Sequence, residues 1–209
     1  MKIVYYVSRD KKRKLTELFG LSRSGKSTLA LELVKRGDFD RVVCSQENKF
    51  FVLMRFLQYF IKNPIRTTKL FFYLNSNVIL IESLTFIKKL RILIMRNSYL
   101  ASVLSKSELS NRLDENLLVD EFFLQLTFII LQKKSSERKI RKLMKLFELP
   151  EKIILVEESK SKRYERFRAH RFPGGHIDKN YSLEWMKNQE YNYRILKRII
   201  AQNYNKIKN

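Results

Sequence analysis

The segment Gly20-Leu21-Ser22-Arg23-Ser24-Gly25-Lys26-Ser27-Thr28 satisfies G-x-x-x-x-G-K-[ST] and lies where an apolar strand should turn into a helix. Upstream, Leu15, Thr16, Glu17, Leu18 and Phe19 make a short strand-like run. Downstream, Leu29, Ala30, Leu31, Leu33 and Val34 recur at helical spacing. Strand, loop and helix therefore follow one another in the order such a loop requires. Its chemistry follows from backbone physics. Glycine permits a turn whose N–H groups wrap a β-phosphate, and the helix behind it points its positive end at the anion. Lys26 would reach the β- and γ-phosphates and Ser27 would bind Mg²⁺. The expectation is a nucleoside triphosphate site running from Gly20 to Thr28. The plainer alternative is a glycine turn capped by Ser24 or Ser27 with no ligand.

A chain of 209 residues supports one substantial core, or one core with an inserted helical subdomain, and a single domain over 1–209 is expected. Hydrophobic residues at 44% and aromatic residues at 12% are a folding composition, despite 31% charged residues. Cys44 is the sole cysteine, which excludes an internal disulfide and a Cys-rich metal centre, so the metal expected is oxygen-bound Mg²⁺. The apolar start at Met1 to Tyr6 is interrupted by Arg9, Asp10, Lys11, Lys12, Arg13 and Lys14 before a secretory core could form, and a cytoplasmic location is expected. Leu70 to Leu84 is broken by Asn75, Asn77 and Glu82, so no transmembrane helix is expected. The net charge of +22 attracts polyanions in general, nucleic acid among them, without choosing one. Lys11 to Lys14 and Lys133 to Lys145 read as solvated faces.

Along the chain, residues 1–20 read as one or two strands parted by the basic turn near Arg9 to Arg13, and 25–36 as the first helix, stopped by Gly37. Arg41 to Cys44 read as a strand whose end brings Ser45, Gln46 and Glu47 near the site. Residues 47–113 contain no glycine and read as a long helical region on the acceptor side, with Arg91 and Arg96 as basic residues of interest. Asn116-Leu117-Leu118-Val119-Asp120-Glu121 is an apolar strand ending in two acids. Beside the first strand, Asp120 would face Mg²⁺ and Glu121 would polarise a nucleophile; alternatively the pair opens a helix, where carboxylates complement the dipole. Helices follow over 122–131 and 135–147, then a buried strand over 152–156. The dense cationic stretch Lys160, Lys162, Arg163, Arg166, Arg168, His170 and Arg171 comes next. Arginines closing over a triphosphate stabilise the transferring group and exclude water; a solvated basic helix is the alternative. Pro173-Gly174-Gly175 reads as a hinge and 182–207 as a C-terminal helix, while His170 and His176 form no zinc spacing.

Taken together, G-L-S-R-S-G-K-S-T-L-A at Gly20 to Ala30, L-L-V-D-E-F-F-L-Q at Leu117 to Gln125, and the arginine-rich segment Arg163 to Arg171 resemble the small phosphate-loop kinases of the thymidylate kinase-like type. The resemblance implies the α/β, three-layer P-loop NTPase fold: a parallel sheet of about five strands flanked by helices, with an arginine-rich lid over ATP at about 157–176. It implies Lys26 and the loop N–H groups on the phosphates, Ser27 and Asp120 on Mg²⁺, Glu121 on the acceptor, and Arg163, Arg166 or Arg171 over the transferring group. Thymidylate kinases proper carry an Asp-Arg pair for the acceptor nucleotide, whereas Asp120-Glu121 is followed here by Phe122. The acceptor is therefore expected to be a small molecule, a nucleoside or nucleotide first. The alternatives are a nucleotide-dependent switch or scaffold, and a polynucleotide kinase or other nucleic-acid-binding ATPase. The absence of N-K-x-D disfavours a GTPase.

Overall fold

The computed structural model describes residues 1–8, 15–43, 48–79, 86–113, 115–120, 122–169 and 183–207. In chain order these form β1 (Lys2–Ser8), β2 (Leu15–Phe19), α1 (Lys26–Lys35), β3 (Arg41–Val43), α2 (Lys49–Lys62), α3 (Pro64–Ile79) and α4 (Phe86–Ser110). There follow β4 (Leu117–Asp120), α5 (Phe123–Ile130), α6 (Glu137–Met144), β5 (Lys152–Glu157), α7 (Lys160–Ala169), α8 (Leu183–Asn203) and β6 (Tyr204–Ile207).

The six strands make one sheet in the order β3-β4-β2-β5-β1-β6. β3, β4, β2 and β5 run parallel. β1 pairs antiparallel with β5, and β6 antiparallel with β1. The expected all-parallel sheet of about five strands is thus corrected to a mixed sheet of six. The reason lies at the edge. β1 precedes β2 through a connection far too short for a parallel crossover, so it lands outside β5 with reversed direction. The expected C-terminal helix over 182–207 is shortened at the same edge: α8 stops at Asn203, and Tyr204–Ile207 pair with β1.

Alternation along the central strands sends side chains to both faces of the sheet. Leu18, Leu118, Ile154 and Val156 join Leu29, Ala30 and Leu33 of α1 in one cluster. Their neighbours Phe19, Leu117, Val119, Ile153 and Leu155 join residues of α4, α5, α6 and α8 in a second, larger one. All five residues of β2 are buried, as a central strand covered on both faces requires. This is an α/β architecture with helices on either side of a mixed sheet.

Local signals set several boundaries. α1 ends in a left-handed stop: Gly37 has φ 78°, its N–H donates to Val34 O at 2.9 Å, and Asp38 N–H donates to Leu33 O at 3.1 Å. The Asn48 side chain caps α2 through Phe50 N–H at 2.9 Å. α4 packs against both α2 and α3. It is tied to them by Lys62–Glu108 at 2.6 Å and by Arg96 Nη1 donating to Leu74 O at 2.8 Å. Among the described residues, no helix is long and apolar enough to cross a membrane.

Candidate functional site

The parallel strands β4, β2 and β5 all end on one side of the sheet, and the glycine loop leaves β2 at its centre. Chain segments depart to either side there, which leaves a crevice beyond the strand ends. Both glycines are required by geometry. A Cβ on Gly20 would lie 2.4 Å from Val156 O of β5, and Gly25, the N-cap of α1, has φ 92°. Arg23 also adopts positive φ, at 65°. The loop therefore turns tightly against β5 and delivers α1 with its N-terminus at the crevice. No side chain caps that N-terminus and its first turn carries no acid, so no residue of α1 itself opposes the helix's positive end.

The loop borders an open cleft of about 1190 Å³. Leu21 to Thr28 line it, together with Asp120, Lys162, Arg163 and Arg166. Lys26 is almost wholly buried, and its Nζ donates to Gly20 O at 3.2 Å and Leu21 O at 3.3 Å. Ser27 Oγ donates to Asp120 Oδ2 at 2.8 Å, across 93 positions of sequence. The pairing that allows this is β2 beside β4, with Leu18 opposite Asp120. Asp120 Oδ1 is buried and makes no hydrogen bond among the described residues. A serine hydroxyl and a carboxylate with one unengaged oxygen are hard-oxygen donors, the type that could hold a cation such as Mg²⁺.

The cationic segment forms α7, and two of its arginines reach the loop side of the cleft. Arg166 donates to Arg23 O at 3.1 Å and pairs with Glu158 at 3.3 Å. Arg163 is only 5% exposed and pairs with Glu190 of α8 at 2.8 Å. α7 is thereby bound to the glycine loop on one side and to α8 on the other. Glu121, Arg171, Ser45, Gln46, Glu47, His170, His176 and Pro173-Gly174-Gly175 lie outside the described residues. Arg91 is exposed on α4 and Arg96 is committed to α3, so neither lines the cleft.

Three further residues at the site have no role assigned by the sequence. Lys106 of α4, 3% exposed, lines the cleft and donates Nζ to Asp120 O at 3.0 Å. In sequence it is one basic residue in a helix, and only the tertiary placement of α4, which brings Lys106 to the end of β4, gives it a role. Glu17, within β2, is wholly buried and accepts from Leu124 N–H at 2.9 Å and Gln125 N–H at 3.2 Å. It caps α5 from a neighbouring strand, since Phe122 at the N-cap provides no side-chain bond. Burial pushes Glu17 up to about 8, opposed by the N–H groups of Leu124, Gln125 and Phe122 and by the charge of Lys106. Gln125, which Glu17 thus fixes, lines the cleft, and its Oε1 is buried without a hydrogen bond among the described residues. Beyond it the wall turns aromatic and aliphatic, with Tyr99, Phe128, Trp185 and Met186.

The cleft therefore has one end rich in N–H dipoles and cations, and another with flat apolar walls and side-chain amides. Neither a protein-family model, nor a curated protein, nor a solved structure matches this chain.

Proposed function

We propose that this chain is an ATP-dependent phosphotransferase of the phosphate-loop type, taking a nucleoside or nucleotide as acceptor. The observation that carries the reading is the Ser27–Asp120 hydrogen bond of 2.8 Å beside the uncapped N-terminus of α1. Two motif residues 93 positions apart meet where a phosphate-bound cation would sit. The β2–β4 pairing and the helix dipole favour that meeting without a ligand, but they leave the buried Asp120 Oδ1 without a donor among the described residues, which a bound cation would satisfy. Ser27 and Asp120 would hold Mg²⁺, which when bound neutralises charge on the β- and γ-phosphate oxygens.

The loop N–H groups and the helix end would fix the phosphates, and Lys26 would exchange its two carbonyl partners for phosphate oxygens. Arg163, Arg166 and, further along the chain, Arg171 would screen the transferring group from water. Glu121, next after Asp120, would take the proton of the acceptor hydroxyl as its oxygen forms the new bond to phosphorus and ADP departs. The aromatic wall with Gln125 supports an acceptor that has a flat, hydrogen-bonding ring.

The test is a γ-phosphate transfer screen with Mg·ATP against nucleosides, nucleotides, sugars and short oligonucleotides, run beside Lys26→Ala. The expected result is a labelled nucleoside or nucleotide product that falls by about 10²-fold or more in the variant. ATP binding without any product would instead leave a nucleotide-dependent switch, and a labelled oligonucleotide would move the assignment to a polynucleotide kinase. Equal ATP affinity in the parent and in Lys26→Ala would remove the basis of the reading.

A further inference from the structure

α2 is amphipathic in the inverted sense. At 100° per residue, Phe50, Leu53, Met54, Leu57 and Ile61 share one face, and that face is exposed. Tyr59, the one fully buried residue of the helix, stands opposite. Exposure is large: Phe50 is 64% accessible, Leu57 43% and Ile61 75%. The pattern continues past Asn63 with Ile65 and Phe72 of α3, and α4, packed against both helices, adds Phe86, Ile87, Leu90 and Ile94. Scattered exposed apolar residues need no explanation, but three adjoining helices that each expose several large ones mark an interaction surface.

Charge decides the occupant. Between Lys49 and Ser107 the only acid in the sequence is Glu82, while Lys49, Lys69 and Arg91 are exposed on these same helices. A second copy would bring like charge onto like charge, in a molecule carrying +22. An anionic bilayer surface offers both complements: acyl chains for the phenylalanines and leucines, and headgroup phosphates or carboxylates for the lysines and arginines. Because no described helix can cross a membrane, the mode is adsorption in the interfacial plane. We infer that the α2–α3–α4 face is a docking surface for anionic lipid membranes. The inference is independent of the chemistry assigned to the cleft.

The experiment is co-sedimentation of the full chain with vesicles of phosphatidylcholine alone, and with about 30% phosphatidylglycerol, at low and high salt. The parent should bind the anionic vesicles, lose binding in high salt, and leave neutral ones largely in the supernatant. The triple variant Phe50→Ser, Leu57→Ser, Ile61→Ser should bind at least about tenfold more weakly while unfolding at the same denaturant midpoint, since the replaced side chains are solvated. Should that variant fail to fold, Lys49→Glu with Lys69→Glu and Arg91→Glu gives the same test through charge. Lys26→Ala should bind vesicles as the parent does. The inference is overturned if the folded parent ignores anionic vesicles, or if the triple variant binds as the parent does. It is also overturned if the parent is a dimer that the triple variant dissociates, with no affinity for lipid.

Discussion

Glu17 shows how one buried side chain couples the sheet to the cleft. It caps α5 from inside β2, and its carboxyl is raised to about 8 chiefly by burial. The folded protein therefore retains a proton that the unfolded chain releases near 4.5. Between those values the native state binds more protons than the unfolded state, so stability is greatest at the acid side and declines as pH rises to about 8. The slope should be at most ~1.4 kcal/mol per pH unit. Urea unfolding at several pH values should show this decline, and Glu17→Gln should flatten it. An identical slope in the variant would place the titration elsewhere. Gly20 is constrained by distance rather than by conformation: with Val156 O 2.4 Å from the position of a Cβ, Gly20→Ala must shift the loop or β5. A loss of about 1–3 kcal/mol in urea unfolding is expected. The same shift should weaken ATP binding, because the displaced segment carries the loop N–H groups.

At the scale of elements, the edge of the sheet and the cleft depend on one another. β5 supplies the carbonyl against Gly20, pairs with β2 on one side and β1 on the other, and leads into Glu158, which holds Arg166. β1 is in turn covered by β6, which moves the open edge of the sheet from a strand of seven residues to one of four. β6 is anchored by Tyr204, whose hydroxyl donates to Pro150 O at 2.8 Å in a buried setting ahead of β5. Tyr204→Phe should cost about 1–2 kcal/mol, because the Pro150 carbonyl would remain buried without a donor. Equilibrium unfolding measures that cost, and hydrogen exchange should locate the loosening in β1 and β6. A variant as stable as the parent would mean that apolar burial alone holds the edge.

For the molecule as a whole, ligand binding and stability are linked through the loop. The proposed nucleotide site joins β2, α1, β4 and α7, so a ligand there binds the folded state alone. At a hundred times its dissociation constant, Mg·ATP should add about 2.7 kcal/mol of stability. For a chain of this size that corresponds to a rise in Tm of roughly 5–10 °C. Differential scanning fluorimetry with Mg·ATP, and with ATP in excess EDTA, measures the shift and its dependence on the cation. Lys26→Ala should show little of it, and an equal shift in that variant would place the nucleotide at another site.

Much of this arrangement was legible in the chain itself. The glycine loop with its flanking strand and helix, the apolar run ending at Asp120, and the helical reading of 47–113, within which α2, α3 and α4 lie, follow from periodicity and turn chemistry, which are local properties. Arg163 and Arg166 are expected in a lid, with the basic helix on which they lie only the alternative, whereas Ser27 could be paired with Asp120 in expectation, since strand ends in a layered α/β fold gather on one side. What the tertiary structure alone decided depends on distant partners. The antiparallel placement of β1 and β6 is set by which sheet edge is open. The burial of Lys106 is set by where α4 lies relative to the end of β4, and the role of Glu17 by the helix that happens to start above it. The outward face of α2 has the same cause: its periodicity announces one apolar side, but only the packed neighbours determine whether that side meets the core or the solvent. Local patterns specify what a segment can become, and long-range packing selects which of its faces is used.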